Sequence, residues 1–263
     1  ETASEFMIFR ELLRDRLGDD FASRIVATTD AEKGTLHDIA VQDGYDLLPV
    51  PGDVGGRFSV LSPVGLFSAA MCGIDIDALL AGANEMRKRV EQSEFPENPA
   101  CVLAAVKHLA TAAKGKPIHV MMPYSNRLYL LADWYRQLWA ESLGKREDRD
   151  GNEVFAGPTP IKALGTTDQH SQVQLYREGP NDKLVVFLEV AKHPRDIRVP
   201  DAFGEVPGLA YLRKAKLSKL LNAEKLATEY ALAVSKRPSV TVKFDAITPP
   251  SVGEFMFLYE FTT

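Results

Sequence analysis

Short apolar runs alternate with helix-length segments along this chain, and that rhythm limits the fold more than any other feature of the sequence. The first run, residues 25–29, does not alternate apolar and polar side chains, which is typical of a strand buried on both faces of a parallel sheet. Parallel strands need a crossover connection, usually a helix, so the rhythm predicts βαβ units. The predicted strands are residues 25–29, 47–50, 118–122, 184–190 and 240–244.

Amphipathic periodicity and stop residues place helices between these strands. Gly18 and Gly115 end two of them, and Ser125 is placed to cap a third. The predicted helices are residues 3–18, 35–42, 66–92, 100–114, 125–143, 217–235 and 251–261, with a short helix inside residues 165–178. The fold class that follows is α/β.

Two prolines, Pro96 and Pro99, break the chain and predict a domain boundary near residues 95–100. We expect residues 1–50 to be the tail of a first α/β domain and residues 51–98 to be a connecting segment. Residues 99–263 then form a second, nearly complete domain, truncated at its C-terminal end. The chain opens without methionine and stops inside an apolar helical pattern, so we expect a fragment of a longer protein.

Composition excludes several classes of protein. The 263 residues are 45% hydrophobic and 25% charged, which is the profile of a globular protein. A formal net charge of −5 gives no reason to expect nucleic acid or an anionic membrane as a partner. Cys72 and Cys101 have neither metal-type nor redox spacing and are predicted to be reduced, buried thiols. With no signal peptide and no bilayer-length apolar run, we expect a cytoplasmic protein.

The first candidate site is a double glycine followed by an arginine, Gly55-Gly56-Arg57. Glycines let the backbone approach a ligand closely or adopt left-handed dihedrals. A guanidinium is always charged and suits a phosphate, a carboxylate or a developing oxyanion. The alternative is a tight turn whose arginine faces water.

The second candidate is the end of the helix that stops at Gly144. Gln137 and Glu141 are four residues apart and share one helix face. Glu141 lies in the last turn, where the partial negative charge disfavours a carboxylate, so its pKa should rise if the group is also shielded from water. Such a carboxylate suits a general base near neutral pH. The alternative is a solvated glutamate bridged to Lys145.

The third candidate, residues 165–174, gathers polar side chains and one imidazole around a predicted helix start. Asp168 or Thr167 can cap this helix. In its first turn, His170 would feel the positive end of the helix dipole, which favours the neutral imidazole that passes protons near pH 7. The alternative is a structural histidine whose hydrogen bonds are made within the cap of its own helix.

Other chemical signatures are weak or missing. No histidine pair has zinc-ligand spacing with further ligands, and neither a phosphate-binding glycine loop nor a serine nucleophile elbow occurs. We therefore expect no metal site. The basic residues at 114–116 and 213–216 are predicted to be solvated surface, and the aromatic residues 134, 135 and 139 mostly core.

Taken together, three blocks resemble the phosphoglucose isomerase (glucose-6-phosphate isomerase) family. Residues 55–59, Gly-Gly-Arg-Phe-Ser, look like the family's G-G-R-[FY]-S signature, with Ser62 and Gly65-Leu66 after it. Residues 137–145 resemble the segment of the catalytic glutamate and keep its E-S-x-G-K ending. Residues 165–174 resemble the segment of the catalytic histidine. The blocks occur in the family's order across nearly the whole chain.

This resemblance implies two sugar-isomerase (SIS) domains, each a three-layer sandwich with a five-stranded parallel sheet flanked by helices. It implies reversible isomerisation of glucose 6-phosphate and fructose 6-phosphate through a cis-enediolate, in glycolysis and gluconeogenesis, without metal or organic cofactor. Glu141 would move the proton between C1 and C2, Arg57 would stabilise the enediolate, and His170 would assist ring opening. Gln137 and Gly56 would contact the substrate beside them. His170 would enter the site from a partner subunit, so a homodimer is implied.

Two blocks of the family fall outside the chain. The Ser/Thr-rich loop that grips the sugar phosphate would lie immediately before Glu1, and a block with a ring-opening lysine would lie beyond Thr263. Because the loop that binds the sugar phosphate is missing, we expect the chain by itself to convert the substrate slowly. The parent is a stand-alone isomerase or a fusion, for example with transaldolase. Two alternatives remain open: a non-catalytic sugar-phosphate-binding module with the same sandwich, and an isomerase that acts on mannose 6-phosphate.

Overall fold

The computed structural model describes residues 2–263, and the chain divides into two compact units, Glu1–Ile76 and Asp77–Thr263. The helices and strands of the first unit are α1 (Thr2–Leu17), β1 (Val26–Asp30), α2 (Thr35–Asp43), β2 (Asp46–Val50) and α3 (Pro63–Met71). The chain leaves α1 through Gly18, whose φ of +59° is a left-handed conformation that suits glycine.

A parallel βαβ arrangement forms the core of the first unit. Strands β1 and β2 pair in parallel, with Val26 opposite Asp46, and α2 is the crossover between them. Tyr45 is buried in this core, and its hydroxyl accepts a hydrogen bond of 2.8 Å from Arg10 of α1. The same guanidinium holds the pKa of Asp43 below its usual range. The βαβ rhythm predicted for residues 25–50 is therefore confirmed.

The second unit contains a four-stranded parallel sheet. Its strands are β3 (Ile118–Pro123), β4 (Lys145–Glu147), β5 (Glu153–Ala156), β6 (Thr159–Lys162), β7 (Lys183–Lys192) and β8 (Ser239–Ala246). Its helices are α4 (Ile76–Gln92), α5 (Pro99–Lys114), α6 (Tyr129–Leu143), α7 (Val173–Glu178), α8 (Pro207–Ala210), α9 (Leu217–Val234) and α10 (Pro249–Thr262). The spatial order of the sheet is β6-β3-β7-β8, while β4 and β5 form a separate antiparallel hairpin.

Helices cover both faces of this sheet. On one face, aromatic residues of α6 and α10 are in contact: the rings of Tyr135 and Tyr259 lie 5.4 Å apart, and Trp139 reaches the ring of His119 on β3 at 5.9 Å. On the other face, Tyr176 of α7 and Leu232 of α9 pack against β3 and β7. The second unit is thus a three-layer α/β sandwich, as predicted, with its core on both sides of β3 and β7.

The structure contains elements that the sequence pattern did not predict. Strand β6 was missed because it has only four residues, one of them Pro160, and the hairpin was missed because β4 is Lys-Arg-Glu, without an apolar signal. The single helix predicted for residues 66–92 is two helices, α3 and α4, with Gly73 at a φ of +75° between them. Ser125 makes no side-chain cap, and a 3₁₀ turn at Asn126–Leu128 leads into α6 instead.

Close packing between α4 and α10 explains why the two units divide near residue 76. A Cβ atom on Gly82 would lie 2.0 Å from the Pro250 carbonyl oxygen, and one on Gly253 would lie 2.0 Å from that of Leu79. Since only glycine permits this contact between the two backbones, α4 belongs with the second unit. The predicted connecting segment, residues 51–98, is therefore divided between the units. The assignment of residues 1–50 and 99–263 to two sugar-isomerase domains stays a prediction.

The predicted burial of three side chains is wrong. Cys72 and Cys101 are free thiols, but both are exposed: Cys72 lies at the end of α3, and Cys101 lies on the outer face of α5. Lys116, predicted to be solvated, is buried, and its ammonium donates a hydrogen bond of 2.7 Å to the Asn181 side chain. A lysine can be buried in this way when oxygen atoms accept its hydrogen bonds.

Burial also produces a testable dependence of stability on pH. His119 is only 1% exposed, and desolvation, together with the charge of Lys107, lowers its pKa to about 3. The unfolded imidazole, with a pKa near ~6.5, binds a proton that the folded one does not, so stability is lost as pH falls from ~6.5 towards the folded value. We expect His119→Asn to remove up to ~1.4 kcal/mol per pH unit of this slope in urea unfolding.

The exposed neighbour on α5, His108, provides the control for this measurement. His108→Asn should leave the acid slope of the unfolding free energy unchanged. If the unfolding free energies of the unaltered protein and His119→Asn changed with pH in parallel, the imidazole of His119 would not be neutral in the folded protein as expected.

Candidate functional site

In the first unit, the double glycine leads into a 3₁₀ turn at Gly56–Phe58. The turn is closed by a hydrogen bond of 2.9 Å from the Phe58 N–H to the Gly55 carbonyl, and the buried Ser59 hydroxyl donates to the Gly56 carbonyl at 2.6 Å. Neither glycine has positive φ, so the predicted left-handed dihedrals are not used. A Cβ atom on Gly56 would meet no atom within 4 Å, which leaves this backbone open to an approaching group.

Arg57 is half-buried in this turn. Its guanidinium carbon lies 5.1 Å from the centre of the Phe58 ring, a distance at which a cation is attracted to an aromatic face. Arg57 is thus partly exposed in a tight turn, as the alternative describes, and its role in a site stays a prediction. The turn holds a permanent positive charge against an aromatic ring beside an open glycine backbone.

In the second unit, Gln137 and Glu141 lie on one face of α6, as their spacing predicts. The Gln137 amide donates a hydrogen bond of 3.2 Å to Oε1 of Glu141. The opposite face carries Tyr135, Leu138 and Trp139 into the core, which fixes the direction in which the Gln137–Glu141 pair points. Helix α6 ends after Leu143, with the Gly144 N–H donating to the Ala140 carbonyl at 3.0 Å.

The predicted surroundings of Glu141 are not found in residues 2–263. Glu141 and Gln137 are both exposed, so the expected shielding of Glu141 from water is missing from the described part of the protein. Trp139 points into the core, and Trp134 lines a surface pocket together with Gln137. The alternative was a solvated glutamate bridged to Lys145: Glu141 is exposed, as that alternative predicts, but it forms no ion pair with Lys145 within the described chain.

His170 lies in the loop that follows β6. Residues Thr167–Gln169 form a 3₁₀ turn, His170 ends it, and α7 starts only at Val173, so His170 precedes the helix instead of occupying its first turn. The expected influence of a helix dipole on this imidazole therefore lacks its structural basis. The His170 side chain is exposed and has no hydrogen bond within residues 2–263.

The structure places Glu141 and His170 of one chain at opposite ends of the sheet. Helix α6 starts after the carboxyl end of β3 and runs back along the sheet, so Gln137 and Ala140 in its C-terminal half line a surface pocket with Pro160 at the start of β6. His170 follows the other end of β6, where the Gly165 N–H donates to the Pro123 carbonyl at the end of β3. The fifteen residues of α6 span ~22 Å. These two residues are thus not brought together, and Arg57 belongs to the other unit.

Lys107 is a chemically unusual residue that the sequence analysis did not single out. It is 2% exposed, and its ammonium lies 3.8 Å from the centre of the Trp139 ring and donates a hydrogen bond of 2.9 Å to the Tyr135 hydroxyl. Burial lowers its pKa well below the usual value. The available signal was its spacing: Lys107 is four residues after Leu103 and three before Ala110, both of which face the core.

Two further properties concern the described chain as a whole. Among residues 2–263, no three His, Cys, Asp or Glu side chains are grouped so that they could hold a metal ion. No helix in that range is both long and apolar enough to cross a membrane.

Comparison with known proteins shows which family this chain resembles. The family model described as phosphoglucose isomerase matches residues 1–263. A glucose-6-phosphate isomerase of Carboxydothermus hydrogenoformans is 48% identical over 260 residues, which are 99% of this chain and 56% of that protein. The glucose-6-phosphate isomerase of Rubrobacter xylanophilus is 46% identical over 264 residues, covering 100% of this chain and 59% of the relative.

A solved structure shows the same fold. A hypothetical protein from Thermus thermophilus superimposes with a TM-score of 0.92 at 37% identity, over 99% of this chain and 61% of that one. The chain spans little more than half the length of the curated relatives it matches. With the three blocks in order and the sandwich in place, the chain belongs to the phosphoglucose isomerase family.

Proposed function

We propose that the protein containing this chain interconverts glucose 6-phosphate and fructose 6-phosphate as a step of glycolysis and gluconeogenesis. The observation that carries the proposal is the hydrogen-bonded Gln137–Glu141 pair at the end of α6, in the block that resembles the family's catalytic segment. The match of the family model to the whole chain supports it. A non-catalytic binding module is less favoured, because curated relatives at 46% and 48% identity carry the name of the isomerase.

Aldose–ketose conversion needs a base beside C1 and C2 and a cation at the developing oxyanion. Glu141 is the proposed base: its Oε1 accepts the Gln137 amide, which orients the carboxylate on the helix. Arg57 is the proposed cation, held against Phe58 beside the open backbone of Gly56. The base contributes ~10²–10⁴-fold to the rate, and an oriented charge contributes a comparable factor. Neither role calls for a metal or an organic cofactor.

His170 is proposed to assist ring opening in the site of a second copy of the chain, within a homodimer. The position of His170 and Glu141 at opposite ends of one sheet supports this arrangement, since one copy alone keeps them apart. Its exposed imidazole is free to enter a neighbouring site. We place the protein in the cytoplasm, in keeping with its two free, exposed thiols.

Turnover of fructose 6-phosphate by the full-length protein tests the proposal. We expect steady formation of glucose 6-phosphate without added metal, and much slower turnover of mannose 6-phosphate. Preference for mannose 6-phosphate would identify the alternative isomerase. Tight binding of either sugar phosphate without turnover would favour the non-catalytic module and contradict the proposed activity.

A further inference from the structure

We propose that Asp168 is the positioning residue for His170, a role that rests on the proposed isomerase function. Asp168 lies two residues before the histidine, in the loop between β6 and α7. Its carboxylate joins the start of this loop to its end. The imidazole, which has no hydrogen bond of its own in the described chain, takes its place from the backbone that Asp168 holds.

Both carboxylate oxygens of Asp168 accept a hydrogen bond. Oδ2 accepts the Leu164 N–H at 2.7 Å, before the turn, and Oδ1 accepts the Ser171 hydroxyl at 2.7 Å, directly after His170. The backbone of Asp168 adds further bonds: its N–H donates to the Leu164 carbonyl at 2.7 Å, and its carbonyl accepts the Ser171 N–H at 3.3 Å and the Gln172 N–H at 2.9 Å. His170 is therefore enclosed between residues that are tied to one carboxylate.

A second contact fixes the loop to the sandwich. The Gln169 amide donates a hydrogen bond of 2.7 Å to the hydroxyl of Thr228, which is 5% exposed on α9. Thr228 in turn donates to the Glu224 carbonyl at 2.9 Å within α9. The turn thus has an internal clamp, Asp168, and an external anchor, Gln169. A displacement of about 1 Å at a catalytic group can cost ~10²-fold in rate, so a clamp of this kind has a measurable consequence.

We expect the clamp to depend on the two hydrogen bonds more than on the charge of Asp168, which makes the prediction specific. In Asp168→Asn, the amide oxygen can accept from the Leu164 N–H while the amide nitrogen donates to the Ser171 hydroxyl oxygen. In Asp168→Ala, both contacts are lost. We expect Asp168→Ala to lower kcat on fructose 6-phosphate by about 10- to 100-fold with little change in KM, and Asp168→Asn to restore most of the rate.

A double-mutant cycle in the full-length protein distinguishes positioning from general damage to the fold. If Asp168 acts through His170, Asp168→Ala should cause no further loss of kcat in a His170→Ala background. The matched control is Asp148→Ala in the β4–β5 turn, where the carboxylate accepts the N–H groups of Asp150 and Asn152 at 2.9 Å each. This control should leave kcat unchanged.

The possible outcomes separate this proposal from the proposed function. Normal turnover of the unaltered protein, combined with an equal loss from Asp168→Ala with and without His170, would overturn the positioning role alone. An Asp168→Asn variant as slow as Asp168→Ala would also overturn it. Absence of isomerase turnover in the unaltered protein would overturn the proposed function, and the role of Asp168 with it.

Discussion

Glu141→Gln lowers kcat on fructose 6-phosphate by ~10²–10⁴-fold in the full-length protein, if Glu141 is the base that the proposed mechanism requires. Glutamine keeps the length of the side chain and an oxygen that can accept the hydrogen bond from Gln137. What it loses is the ability to take a proton from C1 or C2. KM should therefore change little, because substrate binding does not depend on the base.

Two measurements check this result. Steady-state kinetics give the loss in kcat, and transfer of deuterium from solvent into the sugar phosphate should fall by the same factor, since both need the proton transfer. Glu147→Gln is the matched control, an exposed carboxylate on β4 just beyond the helix, and should leave both rates unchanged. If Glu141→Gln kept normal deuterium exchange, another group would be the base.

The second large effect is expected in the core, at Lys107. Lys107→Ala removes a fully buried stem from among the rings of Tyr135, Trp139 and Tyr259 and leaves a cavity. Lys107→Met keeps a side chain of similar length without an ammonium to desolvate. Because loss of a buried chain of this size costs ~2–5 kcal/mol, we expect the methionine variant to exceed the alanine variant in unfolding free energy by that amount.

The buried lysine also makes the stability of the protein depend on pH, in a direction that can be stated in advance. Burial lowers the pKa of Lys107 in the folded protein, whereas the unfolded lysine keeps a pKa near ~10.4. Between these two values the unfolded chain binds more protons, so stability rises with pH. The unaltered protein should therefore gain stability relative to Lys107→Met as pH rises towards ~10, in urea unfolding at several pH values.

The exposed Lys114, on the same helix, is the control for this pair of variants. Lys114→Met should change the unfolding free energy little and by the same amount at each pH. If the unfolding free energies of Lys107→Met and the unaltered protein differed by the same amount at every pH, the buried lysine would have an ordinary pKa. The contacts with the aromatic rings would then stabilise its charged form.

Local patterns in the sequence predicted the sandwich but not all of its pieces. The runs at residues 118–122, 184–190 and 240–244 are apolar enough to stand out, and each became a strand of the parallel sheet. Strand β6 did not stand out, because β3 and not its own composition decides that Thr159–Lys162 is extended. Short strands of this kind depend on a neighbour that is distant in the sequence.

The candidate site also has some features that local spacing predicts and others that depend on tertiary contacts. The four-residue spacing of Gln137 and Glu141 places them on one helix face in any α-helix, and the structure joins them with a hydrogen bond. Whether that face is dry depends on what packs against it, and in the described chain it is exposed. The sequence predicted Asp168 as a candidate helix cap, but α7 starts at Val173 after Gln172, and the two partners of the Asp168 carboxylate are set by the path of the loop.

The sequence by itself determined most of the helices and the five apolar strands, where Gly18 and Gly115 end helices, and to which family the three blocks point. These features depend on periodicity and backbone conformation, which act over a few residues. Only the tertiary structure decided that Lys107 is buried among aromatic rings, that Cys101 is exposed, and that Glu141 and His170 lie at opposite ends of one sheet. The physical reason is that burial and strand order are set by contacts between segments far apart in the chain, which no local pattern contains.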